Sequence, residues 1–434
     1  MKKVVDVCTR VEGHGNIKIL LQKDEITSVN FDLEIFRGFE NLLIDKRLID
    51  VPRIASRICG LCHASQTIAS CKAIESMYEI EPSLQSVLLR RLLMIGELIK
   101  SHSMHFFFQA FPDLFVILDK QPKPLSLNEL VHFDSKLTSN MYELIKIGNE
   151  IVNLFGGKSV HLITPIIGGI FFSPLKKEIN LARRYLQNSI NNLKWVIERF
   201  IEIFSQFDPP VVYSLPNPAY MGMHNDEKFD RYSGILRLAQ NNKIIADFPV
   251  YKHSQYFDKQ EDLHGIDFYL KNDQNILVGP LARNKIIKDY GIDELQSYIG
   301  LFNKEWQNSI LFSNFIRLIE MLFFSYEGLS ILDEAELIQK NDISPINFLK
   351  NNEGIGMVEA PRGTLIHYYH VNKKRLIDKV KLFVATEINL PIIDEILTTQ
   401  SQELYERTGD LNQIKKQAQM IIRSFDPCIS CATH

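Results

Sequence analysis

Arg57-Ile58-Cys59-Gly60-Leu61-Cys62 near the start of the chain and Asp426-Pro427-Cys428-Ile429-Ser430-Cys431-Ala432-Thr433-His434 at its end decide how the rest is read. Each holds a CxxC pair, and together they use four of the six cysteines. Two thiols at this spacing reach one ion, and at a helix start the free amides and the macrodipole favour thiolate over thiol. One pair is a weak signal. Two pairs make a four-sulfur site if the fold brings the ends of the chain together, and loop-closure entropy grows only logarithmically with the separation. On spacing alone a structural zinc site with four cysteine ligands stays open. A thioredoxin-type couple is disfavoured, because no βαβ pattern surrounds either pair. Cys8 and Cys71 fit neither motif and read as buried apolar thiols.

Working outward, Ala64, Ile68, Cys71, Ile74 and Tyr78 recur at helical spacing, so Cys59 and Cys62 stand at the entry of a helix. Upstream, Val5 and Val7, then Ile17, Ile19 and Leu21, then Val29, Phe31, Leu33 and Ile35 alternate with mostly polar neighbours as strands do. The turn-like Glu12-Gly13-His14-Gly15 lies between two of them. Downstream, a helical stripe follows Pro82 through Leu84, Leu88, Leu92, Ile95 and Ile99 and extends towards His102 and His105. A stronger one, Leu186 to Phe204, stops at Pro209-Pro210. Further helix is expected over 315–326 and 413–422, turns over 163–174, and a strand over 380–386. His102 and His105, three apart on a helix, read as hydrogen-bonded core histidines rather than a metal pair.

The 434 residues are 45% apolar and 23% charged, ample for a large core. No repeat, low-complexity tract or linker divides them, so residues 1–434 are expected to form one domain. Forty-nine basic against 52 acidic residues give a net charge of −3, which predicts no broad footprint for nucleic acid or anionic lipid. No secretory signal pattern opens the chain, and no apolar run is long enough to span a bilayer. The coarse fold class is helix-dominated α+β.

Both cysteine motifs, with Arg10-Val11-Glu12-Gly13-His14, Phe36-Arg37-Gly38-Phe39-Glu40 and Glu359-Ala360-Pro361-Arg362-Gly363 in order alongside them, resemble the signatures of the nickel-iron hydrogenase large subunit. The resemblance implies a central bundle of long helices with an N-terminal β-hairpin and short peripheral sheets. It also implies that Cys59, Cys62, Cys428 and Cys431 hold nickel, with Cys62 and Cys431 bridging to an iron that carries carbon monoxide and cyanide. Soft thiolates suit nickel, and shared sulfurs keep the two metals close.

By the same resemblance Glu12 is the first proton relay beside Cys428, and Glu40 with His434 are ligands of a magnesium ion behind the centre. Arg362 hangs over the open side of the metals, Asp426 and Pro361 line that canopy, and Thr386 donates to a cyanide. Two positions depart from the family pattern. Gln66 stands where a histidine is usual, and Ser101 replaces an aspartate common in periplasmic members. An amide can hydrogen-bond a bridging sulfur but cannot protonate.

The implied activity is reversible heterolytic cleavage of dihydrogen. After four cysteines are assigned to metals, two remain, too few for an iron-sulfur relay, so a small subunit holding clusters is expected. Further electron-transfer subunits, a maturation endopeptidase and nickel-insertion factors are implied as partners. A chain stopping at His434 matches the processed form. The ending resembles cytoplasmic groups. A hydrogen-sensing subunit with low turnover and a zinc-stabilised binding module are the alternatives. A metal-free homologue would have lost the cysteines.

Overall fold

The computed structural model describes residues 2–33, 37–117, 123–259, 266–270, 274–287, 289–334, 337 and 343–433. Ile35, Phe36 and His434 lie outside them. Strands β1 (Lys2–Val7), β2 (Asn16–Gln22) and β3 (Glu25–Asp32) form an antiparallel sheet rather than a lone hairpin. The alternation holds in β2 and β3, where Ile17, Ile19, Leu21, Val29 and Phe31 are buried, whereas Val5 and Val7 of β1 are exposed. Short helices α1 (Gly38–Leu43) and α2 (Val51–Ala55) lead to α3 (His63–Tyr78), which begins directly after Cys62. Helix α3 is buried on nearly every side, not along one stripe, so its periodicity locates the helix but not a single packing face.

Four long helices form the bundle. They are α4 (Leu84–Met104), α7 (Ser135–Gly156), α8 (Lys176–Phe204) and α12 (Phe312–Leu332), and each packs on the next so that α12 returns to α4. Gly96 on α4 meets Gly148 on α7. A Cβ at Gly148 would stand 2.5 Å from the Lys100 backbone nitrogen, so these backbones touch only because both side chains are absent. Helix α4 runs into a π-helical turn, His105–Ala110, and then α5 (Phe111–Ile117); α6 (Leu127–Phe133) precedes α7.

Hairpin β4 (Pro165–Ile166) and β5 (Gly169–Ile170) lies in the expected turn region. The peripheral sheet comprises β6 (Ala219–Asn225), β7 (Lys228–Phe229), β8 (Ile235–Gln240) and β9 (Lys243–Phe248), beside the pair β10 (Phe257–Lys259) and β11 (Ile266–Phe268). Strand β12 (Ile276–Leu277) adds to β6 in parallel, followed by α9 (Pro280–Ile286), α10 (Asp293–Gly300) and α11 (Lys304–Gln307).

A second antiparallel sheet, β13 (Glu353–Ala360), β14 (Gly363–Val371) and β15 (Ile377–Phe383), packs on α3. Helices α13 (Ala385–Thr408), α14 (Leu411–Phe425) and the single turn α15 (Ile429–Ala432) end the chain. The strand expected over 380–386 therefore stops at Phe383. Thr386 sits in the first turn of α13, because Val384, extended at φ −118° and ψ 146°, is the helix N-cap.

The chain ends are tied together. Asp394 on α13 accepts hydrogen bonds from the Phe31 amide at 2.7 Å and from Asn30 at 3.0 Å. Asp113 pairs with Arg423 at 2.5 Å and also with Arg10, so one buried carboxylate joins the N-terminal loop, α5 and α14. Among the described residues no helix is long and apolar enough to cross a membrane.

His102 Nε2 lies 2.9 Å from Glu320, and His105 Nε2 lies 2.7 Å from the Arg423 carbonyl, so both serve the core as expected. Burial pushes the His102 imidazole down to about 3. The fold thus favours its neutral form, a contribution present in full above the unfolded value near 6.5 and lost as pH falls from there towards 3. His102→Gln is expected to lose about 1–2 kcal/mol less stability than the parent between pH 7 and pH 5, read from urea midpoints.

Candidate metal centre

Cys62 is the N-cap of α3, and Glu97 of α4 holds that helix start in place. Its buried carboxylate accepts from the Ala64 amide at 2.5 Å and from the Ser65 amide at 3.1 Å. At the other end of the chain, Asp426 closes α14 in the left-handed region, φ 56°, and turns the backbone towards Cys428. The Cys428 amide donates to Thr386 Oγ1 at 2.7 Å, fixing this segment to α13.

These anchors bring four sulfur ligands within 4.8 Å of one another, all buried. Cys59 Sγ is 3.4 Å from Cys428 Sγ, Cys62 Sγ is 3.2 Å from Cys431 Sγ, and Cys428 Sγ is 2.7 Å from Cys431 Sγ. Hydrogen bonds from Cys428, Cys431 and Cys62 hold the Cys59 thiol well below its ordinary range, whereas burial pushes Cys428 and Cys431 well above theirs. Four thiols so close cannot all ionise in an apolar interior without a cation, and a soft transition ion removes that conflict. Cys8 and Cys71 are free and buried elsewhere, each pushed up to about 12 by burial.

Arg362 occupies the two-residue turn between β13 and β14, where Ala360 pairs with Gly363. It reads in isolation as an exposed turn, yet the arginine is only 4% exposed. Its Nε donates to the Asp426 carbonyl at 2.9 Å and to Asp426 Oδ1 at 3.1 Å, and Nη1 reaches Ser101 Oγ at 3.5 Å. Nη2 lies 3.0 Å from Oδ1 but makes no aligned hydrogen bond among the described residues. Burial alone would lower the Arg362 pKa, but Asp426 and the neighbouring cysteine sulfurs outweigh it and hold the guanidinium charged. The adjoining Pro361 carbonyl accepts from Arg283 at 2.9 Å, which braces the turn. A small cleft is lined by Cys62, Gln66, Arg362, Thr386, Cys428 and Cys431, among others.

Glu12 is half-buried beside the same sulfurs. Its carbonyl accepts from the Ile429 amide at 3.0 Å, and its carboxylate accepts from the Ser430 amide at 3.1 Å and the Ser430 hydroxyl at 2.6 Å. That hydroxyl is 3.8 Å from Cys428 Sγ. Gly13 makes this approach possible: its φ is 91°, and a Cβ there would lie 2.7 Å from the Ile429 Cβ. Gln66 presents its amide nitrogen 3.6 Å from Cys431 Sγ and 4.0 Å from Cys62 Sγ.

Glu40 is buried at α1, where its carboxylate accepts from the Leu382 amide at 2.8 Å and lies 3.3 Å from Lys259 Nζ. The same ammonium is 2.8 Å from Glu387, whose two oxygens, fully buried, accept no aligned hydrogen bond among the described residues. The Lys259 ammonium is shared by both carboxylates, and the oxygen donors of Glu40 are of the kind that an oxygen-preferring, water-retaining ion takes.

The sequence model of nickel-dependent hydrogenases matches residues 37–123 and 272–434, more than half of the chain. The chain belongs to the nickel-dependent hydrogenase family. This hydrogenase is 28% identical to one component of the F420-non-reducing hydrogenase vhc of Methanococcus voltae, covering 100% of the chain and 95% of that protein. It is 27% identical to the NAD-reducing hydrogenase HoxS subunit beta of Cupriavidus necator, covering 100% and 94%. Its fold matches a NAD+-reducing [NiFe]-hydrogenase in the H2-reduced state with a TM-score of 0.86 at 24% identity, over 100% of both chains. The four-cysteine cluster of the hydrogenase suits a nickel-iron site.

Ser430, Glu97, Asp113, Lys259 and Glu387 are site or support residues that the sequence reading misses. Ser430 lies inside the second CxxC and could have been found as the one hydroxyl between two ligands. Glu97 is a lone acid within an apolar helical run, and no spacing rule says what it caps.

Proposed function

We propose that this hydrogenase acts over residues 1–434 as one catalytic unit that splits dihydrogen reversibly into two protons and two electrons. The observation that carries the reading is the convergence of Cys59, Cys62, Cys428 and Cys431 beneath the Arg362 guanidinium. When bound, a nickel-iron pair, its iron carrying carbon monoxide and cyanide, supplies the Lewis acidity and the two-electron redox capacity for the reaction. Cys59, Cys62, Cys428 and Cys431 would hold the pair, Cys59 and Cys428 as terminal ligands and Cys62 and Cys431 as the shared ones.

Arg362 keeps a fixed positive charge over the open side, oriented by Asp426 and by the braced turn at Pro361. Cys428 Sγ takes the proton. The Ser430 hydroxyl, placed between that sulfur and Glu12, passes it to the carboxylate. Because Thr386 Oγ1 accepts from the Cys428 amide, its own hydroxyl hydrogen is left to donate to a cyanide. Glu40, with His434, holds magnesium behind the centre. Glu387 would keep the Lys259 ammonium paired with Glu40 engaged on the ion.

The two electrons leave through a small subunit with iron-sulfur clusters. In support, both named relatives are components of larger enzymes. Further electron-transfer subunits, nickel-insertion factors and a maturation endopeptidase complete the set of partners, in the cytoplasm. Elemental analysis of the purified complex is expected to give one nickel per chain, with iron beyond the cluster complement. Zinc without nickel would leave a structural site and end this reading. Fast turnover with artificial electron acceptors separates the enzyme from a hydrogen-sensing subunit, the second reading that Gln66 brings up.

A further inference from the structure

A buried polar chain starts beside the sulfurs of Cys431 and Cys62. It begins at Gln66, whose amide oxygen is 2.7 Å from His367 Nε2. His367 Nδ1 is 2.6 Å from the Tyr369 hydroxyl, and that hydroxyl is 3.1 Å from Ser70 Oγ. Gln66 is 1% exposed, and Ser70, His367 and Tyr369 are 0% exposed.

Two periodicities build the chain. Gln66 and Ser70 are one turn apart on α3, and His367 and Tyr369 are alternate residues of β14, so each pair shares a face of its element. One helical turn of about 5.4–6 Å opposite two strand residues of about 6.6–6.8 Å lets both contacts form at once.

The amide nitrogen of Gln66 faces sulfur and its oxygen faces the imidazole. An amide oxygen accepts and never donates, so His367 Nε2 carries the hydrogen. With a neutral ring, Tyr369 donates to Nδ1 and takes the Ser70 hydroxyl hydrogen in turn. With a charged ring, Tyr369 accepts at Nδ1 and donates to Ser70. Either way the Gln66 oxygen faces His367 and its NH2 group faces Cys431. A flipped amide could still pair with the ring in its other tautomer, but it would aim a carbonyl oxygen at thiolate sulfur, so the contact to Cys431 is what selects this orientation.

We propose that His367 is a positioning residue of the metal centre: it locks the Gln66 amide so that an N–H is donated to the bridging thiolate of Cys431, which sets that sulfur's electron donation to the metals. The proposal rests on the reading of Cys431 as a bridging ligand. The imidazole is thereby placed one residue farther out than in the family pattern, and the group touching sulfur is a fixed neutral donor. Such a contact draws electron density from the thiolate, and partners of this rank typically change activity or metal affinity 10–100-fold when removed.

The test uses the purified complex with its partner subunit in place and reads nickel content, the nickel paramagnetic resonance signal and the diatomic stretching bands of iron. His367→Leu is expected to keep nickel, displace the resonance and the bands, and lower turnover about 10-fold. In the Gln66→Leu background the same change is expected to add no further displacement, because its effect passes through the amide. His367→Gln, which can still donate to the Gln66 oxygen, is expected to restore the parent spectra. If His367→Leu fails to assemble, Tyr369→Phe, which removes one hydroxyl and little volume, is expected to shift the bands in the same direction by less.

Displacements of equal size with and without Gln66, or unshifted spectra at full nickel occupancy in both His367→Leu and Tyr369→Phe, would overturn the proposal. A complex holding zinc without nickel would instead remove the reading of the centre on which it rests.

Discussion

Glu12→Gln is expected to lower dihydrogen turnover at least about 10³-fold while nickel and iron contents and the spectra of the centre stay near those of the parent. Glutamine keeps the shape: its oxygen can still accept from the Ser430 amide, now 3.1 Å from one carboxylate oxygen, and its NH2 group can donate to the Ser430 hydroxyl, now 2.6 Å from the other. What it loses is the site that takes up and releases a proton. The Gly13-dependent loop that presses onto α15 is untouched, so the four sulfurs keep their places. Steady-state turnover beside metal analysis reads the two quantities separately. Unimpaired turnover would remove Glu12 from the relay, and lost nickel would make it a structural residue. Ser430→Ala is expected to fall between variant and parent, since a water can replace the hydroxyl in a polar gap of this size.

Arg362→Lys is expected to cost about 10²–10³-fold in turnover with the metals retained. The guanidinium reaches Asp426 through Nε, to both the carbonyl and the carboxylate, and Ser101 through Nη1, so its plane is set by a fork that an ammonium lacks. A lysine would keep the charge that Asp426 requires in the buried canopy but would pull it towards that carboxylate, away from the open side. Ser101 sharpens the expectation. With a hydroxyl where an aspartate is common, Asp426 is the carboxylate that holds Arg362 in place, and Arg317 lies 3.9 Å from the same group. Asp426→Asn is therefore expected to reproduce much of the Arg362→Lys loss. Near-native rates in Arg362→Lys would dismiss the canopy role.

The legibility of this protein followed the kind of signal each part carries. Helices α8 and α14 were readable because a buried stripe repeats with the helical period, α4 and α12 because apolar residues recur at helical spacing although both are buried on most sides, and the first sheet because the apolar residues of β2 and β3 alternate. Thr386 falls past the strand for a local reason: Val380 to Thr386 is a short apolar, β-branched run like a strand, and nothing in the residues themselves announces that Val384 caps a helix. Periodicity assigned no element to Gly363–Val371, although His367 and Tyr369 lie there, because a strand buried on both faces shows little contrast. Arg362 illustrates the remaining gap. Its turn was legible, but its burial was not.

The residues by themselves determined the donor set: two thiol pairs, each with the backbone turn that presents it, a glutamate before a glycine and an arginine after a proline. Chemistry of that kind is written in residue type and short-range spacing. The tertiary structure alone decided that the first and last turns of the chain meet, that Ser430 stands between sulfur and carboxylate, and that an imidazole backs the Gln66 amide. Those facts depend on which buried faces pack together, and the energy of packing is shared among many side chains, none of which announces its partner.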